Sequence, residues 1–155
     1  MKLYHFPISP NSRRVVAVLH HLRLDCELAV VDLSKGEQMQ ADFLKLNPNH
    51  MIPTLVDGDF VLWESNAIMQ YLCSKVSYTA LWSAAPRVQA DINRWQFWQA
   101  AHFGSACSVM IFEKVVKKFF MQAEADLQEV AKGEERFHRF AQVLEQHLKG
   151  REWLV

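Results

Sequence analysis

Apolar and polar positions follow two different rhythms along this chain. Up to about Ser74, short apolar runs are separated by turn signals. Beyond it, apolar residues recur almost entirely at helical spacing. Lys2 to Phe6 reads as a short strand. Ser9 then stands where a helix N-cap belongs and Pro10 at the first helical position. Val15, Val16, Val18, Leu19 and Leu22 give the helix that follows one apolar face. Cys26 to Val31 is apolar and β-branched enough for a second strand, so the opening predicts a right-handed parallel βαβ unit. A polar loop at Ser34 to Gln40 leads into a short helix over Asp42 to Leu46, which Asn47-Pro48-Asn49 stops. Thr54 to Val56 and Phe60 to Trp63 flank Asp57-Gly58-Asp59, a hairpin signal. Ser65 is expected to cap a further helix through about Ser74, with Ile68, Met69 and Leu72 on one face.

The order βαβαββα predicts an α/β unit, a mixed sheet with helices on its faces. Ser74 to Pro86 reads as a connector, which divides the chain into residues 1–75, a linker over 76–85 and a helical unit over 86–155. Two long helices are expected in that unit. The first runs from Pro86 to about Lys118, with Val88, Ile92, Trp95 and Phe103 on a stripe and a bend near Gly104. The second spans Ala123 to Leu148, with Leu127, Val130, Phe137, Phe140, Ala141, Leu144 and Leu148 at helical spacing. Gly133 is expected to weaken or break it, and Gly150 to cap it.

Composition narrows the function classes. The 155 residues carry 17 Lys+Arg against 17 Asp+Glu, and neither half has an excess of one sign. That argues against a general nucleic-acid binder, which needs a basic surplus. Half the residues are hydrophobic, too many for a disordered chain. No run approaches the ~18–20 apolar residues of a membrane span. The first residues turn polar where a signal peptide would be apolar, and the last carry no lipidation signal. A cytoplasmic protein off the membrane is therefore expected. Cys26, Cys73 and Cys107 are far apart and odd in number, which suits buried thiols better than disulfides. His20-His21, His138 and His147 lack the spacing of a metal pair, so no metal is expected.

Three places could carry chemistry. Ser9 lies between a strand and a helix N-terminus, where α/β folds present ligands and where free N–H groups favour an anion. It has no base beside it in sequence, so it is not a nucleophile. Its hydroxyl could donate to a ligand's thiolate, or it could only cap the helix. Ile52-Pro53-Thr54 opens a strand. A cis bond there would leave Ile52 backbone groups free for a peptide-like ligand, while a trans bond in an ordinary loop is the commoner case. Ser65 could hold a carboxylate at a helix start, with Glu64 taking an ammonium; a plain cap and a solvated acid read equally well. Trp95, Phe97, Trp98, Phe103 and Phe112 could line an apolar pocket, although aromatic stripes at helical spacing are more often core. Lys114, Lys117 and Lys118 read as a solvated face.

Taken together, the chain resembles a glutathione S-transferase. The resemblance rests on Ser9-Pro10-Asn11-Ser12-Arg13-Arg14-Val15, Phe43-Leu44-Lys45-Leu46-Asn47-Pro48, Ile52 to Asp59 and Leu62-Trp63-Glu64-Ser65-Asn66-Ala67-Ile68. Each stretch is weak alone; the ordered set is specific and covers nearly all of the first unit. Asp91 and Trp95 match the opening helix of the family's second domain. The resemblance implies a thioredoxin-like domain followed by an all-helical one, usually in a homodimer. It also implies transfer of the glutathione sulfur to a small apolar electrophile. Ser9 matches the catalytic serine of the theta, phi and delta-like classes. Ile52, before the cis-proline at Pro53, matches the contact to the cysteinyl part of glutathione. Glu64 and Ser65 match the γ-glutamyl contacts, and Gln38 the glycine carboxylate contact. Phe103 and Phe112 would start the electrophile pocket. Glutathione is then a co-substrate, and no metal is implied.

The chain departs from the family in three places. Gln38-Met39 replaces a more basic pair, which weakens the expected grip on the glycine carboxylate. His50 stands where glycine is common, tolerable with a negative φ or at some strain. The sequence stops at Trp153-Leu154-Val155, where the family continues into further helices. A short helical unit with exposed apolar faces is therefore expected: a truncated product, a fragment, or a surface covered by a partner. That leaves a non-catalytic glutathione-binding or interaction protein, or a truncated inactive remnant, as the alternative. Serine at both Ser9 and Ser12, where redox relatives carry cysteines, argues against thiol–disulfide exchange. Dehalogenation remains open.

Overall fold

A computed structural model describes residues 1–155 and divides into two compact units, Met1–Trp82 and Ser83–Val155. The first holds β1 (Lys2–His5), α1 (Pro10–Leu22), β2 (Glu27–Val30), two 3₁₀ turns (Leu33–Lys35 and Glu37–Met39), α2 (Ala41–Leu46), β3 (Thr54–Asp57), β4 (Phe60–Trp63) and α3 (Ser65–Ser74). This is the thioredoxin-like βαβαββα order. The strands lie in the order β2-β1-β3-β4. β1 pairs parallel with β2 and antiparallel with β3, which forms the hairpin with β4.

Strand alternation sets the layers. Leu3 is buried with Val15 and Leu19 of α1, Leu55 of β3, and Ile68 and Leu72 of α3. Each such side chain contributes about 1.5–3 kcal/mol by leaving water. The next residue, Tyr4, meets Phe43 of α2 edge-on at 6.0 Å. Arg23, at φ 54, ends α1. Tyr71 and Lys75 both reach the Asp57 carboxylate, at 2.7 and 2.6 Å, and so tie α3 to the hairpin.

The second unit holds α4 (Pro86–Trp98), α5 (Gly104–Ile111) and α6 (Leu127–Leu148). α4 and α5 belong to one continuous helical run. Wider π turns at Gln99–Phe103 and Phe112–Met121 interrupt and extend it, so it ends past Lys118, at Gln122 with φ 51. Gly104 stands at the end of the first π stretch. Its N–H donates to Gln99 O, and an added Cβ would lie 2.7 Å from that oxygen.

α6 starts at Leu127 rather than Ala123, because Asp126 is the cap: its Oδ1 accepts from the N–H groups of Gln128 and Glu129. Gly133 does not break α6. It is buried where α5 packs, and a Cβ there would come within 3.0 Å of Met110 Cγ and 3.3 Å of Val109 Cγ1. The missing side chain allows the close approach, which outweighs the poor helix propensity of glycine. Gly150 takes φ +68, one residue beyond the Lys149 cap. Trp98, Phe103, Phe137 and Phe140 pack ring against ring inside this unit. No helix is long and apolar enough to cross a membrane.

Candidate functional site

The sheet register gathers most of the candidate residues at one end of the first unit. β1 runs toward His5, where it lies beside Val30 of β2; Tyr4 faces Thr54, the start of β3, and Thr54 faces Trp63, the end of β4. The segments that follow β1, precede β3 and follow β4 therefore leave the sheet at the same end. They carry Ser9, Ile52-Pro53 and Glu64-Ser65. The loop after β2 leaves there too and leads to Gln38. α1 and α3 both begin at this end, so two helix N-termini put their partial positive charge on it.

Ser9 is the N-cap of α1. Its Oγ accepts from the Ser12 N–H at 3.3 Å, so the hydroxyl proton is free to point outward. Ser12 is fully buried, and its Oγ accepts from the Phe6 N–H at 3.2 Å, which closes the loop between β1 and α1. The Ile52–Pro53 bond is cis. No hydrogen bond within the chain uses the Ile52 N–H or C=O, because the ladder begins at Thr54. His50 has φ 58, so the strained alternative, not the negative φ, is the one adopted.

Glu64, not Ser65, is the cap of α3. It takes φ 71 and its C=O accepts the first helical bond from Ile68 N, while its side chain makes no capping bond. Ser65 becomes the first helical residue, because its Oγ is engaged elsewhere. It is buried and accepts from Arg14 Nη2 at 2.5 Å. Burial pushes the Arg14 guanidinium below its ordinary value, and the Glu64 carboxylate works in the opposite direction. An arginine nevertheless stays protonated at neutral pH.

Gln38 lies in the second 3₁₀ turn, and its Oε1 is buried without a hydrogen-bond partner. Glu37 anchors that turn by accepting from the Asp32 N–H at 2.7 Å. Phe103 and Phe112 belong to the other unit. Phe103 stacks on Trp98 and packs on Phe137, both at 5.5 Å, as part of an aromatic core. Phe112 is exposed, with Lys117 Nζ 5.7 Å from its ring centre. No three His, Cys, Asp or Glu side chains gather as metal ligands would.

Arg14 has a role that sequence reasoning does not assign. It sits in a recognisable stretch, yet its partner lies 51 residues away, and no local spacing signals that. Asn47 likewise reads only as a helix stop, whereas the fold buries it.

Comparison with known proteins identifies the family of the chain. Residues 3–79 match the family model described as the glutathione S-transferase N-terminal domain. Glutathione S-transferase 3 of Zea mays is 39% identical over 157 residues, covering 100% of this chain and 70% of the maize protein. The crystal structure of glutathione transferase F7 from Populus trichocarpa superposes with a TM-score of 0.89 at 29% identity, covering 99% of this chain and 73% of that one. Glutathione transferase URE2P8 from Phanerochaete chrysosporium, solved with oxidized glutathione, gives a TM-score of 0.87 at 33% identity, covering 99% and 69%. With relatives this similar along its whole length, the chain belongs to the glutathione S-transferase family and is an enzyme of glutathione-transferase type.

Proposed function

We propose that residues 1–75 bind glutathione at the sheet end carrying Ser9, Ile52 and Ser65, and that the bound thiolate attacks a small apolar electrophile. The observation that carries this reading is the convergence there of two helix N-termini, an unused backbone pair at Ile52 and an Arg14-held Ser65. A free thiol with pKa near ~8.5 is only about 3% thiolate at pH 7. A hydrogen bond from Ser9 Oγ and the start of α1 stabilise the thiolate, and lowering the pKa by ~2 corresponds to ~2.7 kcal/mol. The thiol proton leaves to solvent. The sulfur lone pair then forms the bond to carbon as the electrophile's leaving group departs, or as its π electrons shift and take up a proton.

Ile52 N–H and C=O pair with the cysteinyl amide groups. Ser65, backed by Arg14 and the start of α3, receives the α-carboxylate of the γ-glutamyl part, and Glu64 its ammonium. Gln38 offers its amide to the glycine carboxylate, a weaker grip than a cation gives. Phe103 and Phe112 are proposed for the electrophile side, and the location is proposed as cytoplasmic. A homodimer is proposed as well, supported by the exposed Phe97, Phe119 and Leu127 of the helical unit, which a second copy would cover.

A thermal melt with and without glutathione tests the binding half. Ligand at ~100 times its dissociation constant adds ~2.7 kcal/mol, so the midpoint rises. An unmoved cooperative melt would defeat the reading. Conjugation that survives Ser9→Ala undiminished would defeat the catalytic half.

A further inference from the structure

Asn47 is 1% exposed and lies at the end of α2, with exposed residues on the loop that follows it. Every hydrogen-bonding position of its amide is used. Nδ2 donates to Met51 O at 2.8 Å and to Thr54 Oγ1 at 3.1 Å. Oδ1 accepts from the N–H and from Nδ2 of Asn49, both at 3.0 Å. Its backbone C=O accepts from His50 N at 3.1 Å. Thr54 Oγ1 in turn donates to Met51 O at 3.2 Å.

One buried side chain thus grips the loop on both sides of Ile52-Pro53. The side-chain bonds reach residues 49, 51 and 54 and the backbone C=O reaches residue 50, while the Ile52 N–H and C=O take no partner within the chain. A network satisfied at every atom resists deformation, because any movement strands a buried polar group. The backbone bond from His50 N lies where the chain takes its positive φ of 58.

We infer that Asn47 is a positioning residue, which fixes the Ile52 backbone in the orientation that pairs with the cysteinyl amide groups of glutathione. This rests on the glutathione reading above. Asn47 does not touch the ligand; it prevents the binding strand from rotating away. Its loss therefore weakens glutathione binding and leaves the Ser9–thiolate contact intact once glutathione is bound.

The test is calorimetric binding of two unreactive ligands: S-methylglutathione, and the same molecule methylated on its cysteinyl nitrogen so that it cannot donate to Ile52 O. Wild-type protein is expected to prefer the first at least tenfold. Asn47→Ala should lose about tenfold in affinity for the first, change less than twofold for the second, and so lose the discrimination. Its KM for glutathione should rise about tenfold, with kcat and the apparent pKa of the bound thiol unchanged. A folded Asn47→Ala that still discriminates overturns the role, as does a fall in kcat with KM unchanged. Should Asn47→Ala fail to fold, Thr54→Val decides. It keeps the amide and removes one of its partners, and is expected to cut the discrimination at least threefold; full discrimination would overturn the role. Wild-type protein that binds neither ligand overturns the glutathione reading itself, and this role with it.

Discussion

Arg14 and Ser65 lie 51 residues apart in sequence, and a 2.5 Å hydrogen bond from Arg14 Nη2 to Ser65 Oγ joins them. The same nitrogen donates to Asn11 Oδ1 at 2.7 Å. One guanidinium therefore couples α1, which Ser9 caps, to the first residue of α3. A hydroxyl that accepts from a cation keeps its own proton for another acceptor, and the charge behind it favours an anionic one.

Arg14→Ala is accordingly expected to raise KM for glutathione about tenfold, the ~1.4 kcal/mol equivalent of a charge-assisted hydrogen bond. Arg14→Lys keeps the charge but loses the planar fork, and should recover only part of the loss. Steady-state kinetics at fixed electrophile concentration checks both. An unchanged KM in Arg14→Ala would separate the guanidinium from ligand binding.

Ser9 has two roles that different substitutions separate. Ser9→Ala removes the cap of α1, which costs about 1 kcal/mol, and also the thiolate donor. Its kcat/KM should fall, with the pH profile moving up by the part of that ~2 which the Ser9 hydrogen bond supplies, while the start of α1 keeps the rest. Ser9→Asp restores a good cap but places a negative charge beside the sulfur, so it should melt near the wild type and still fail to conjugate. Melts and pH–rate profiles on the two variants distinguish the contributions.

His50 at φ 58 occupies backbone space that suits glycine. Non-glycine residues there carry ~1–2 kcal/mol of strain, partly offset in a glycine variant by the larger entropy it loses on folding. His50→Gly should therefore stabilise the protein by up to about 1 kcal/mol, with KM for glutathione within twofold. Chemical denaturation measures it; a loss of stability would mean the imidazole makes a contact that outweighs the strain.

What could be read ahead of the structure depended on how local the signal was. The strand–helix–strand opening, the Asp57-Gly58-Asp59 hairpin and the Ser9-Pro10 helix start are written in neighbouring residues, and they form as that pattern requires. The Glu64-for-Ser65 exchange at the start of α3 was not legible, because the deciding contact comes from Arg14 on another helix. Gly133 misled for the same reason. Propensity treats a mid-helix glycine as a defect, whereas Val109 and Met110 of a separate helix make it a packing notch. The π turns before Gly104 and beyond Ile111 leave no periodic mark distinct from a bend.

Gly133 gives a graded prediction. In Gly133→Ala the new Cβ meets Met110 Cγ at 3.0 Å, the flexible end of a side chain that can shift, and gains up to ~1 kcal/mol of helix propensity. The two effects should nearly cancel. Gly133→Leu must displace Val109 as well, whose β-branched side chain is stiff, and should cost about 1–3 kcal/mol. Equilibrium unfolding that found Leu as well tolerated as Ala would mean that α5 and α6 can separate freely.

The Asp57–Lys75 pair sets opposite pH limits on the first unit. The hydrogen bond from Lys75, followed by that from Tyr71, holds the Asp57 carboxyl below its ordinary value of 3.8. The unfolded chain therefore binds that proton more readily than the folded one. The stabilisation is present above the ordinary carboxylate range and disappears as pH falls through the depressed value. Lys75 runs the other way. Its bond to Asp57, and then to Tyr71, raises it above 10.5, so its contribution is complete below that value and is lost as pH rises through the raised one. Asp57→Asn should flatten both limbs, since it removes the titrating acid and the partner that raises Lys75. Lys75→Met should leave Asp57 with only the Tyr71 hydroxyl, so it should soften the acid limb and abolish the alkaline one, whose titrating group is gone. Unfolding midpoints across the pH range are the readout, and an acid limb unchanged in both variants would remove the pair from the stability of this unit.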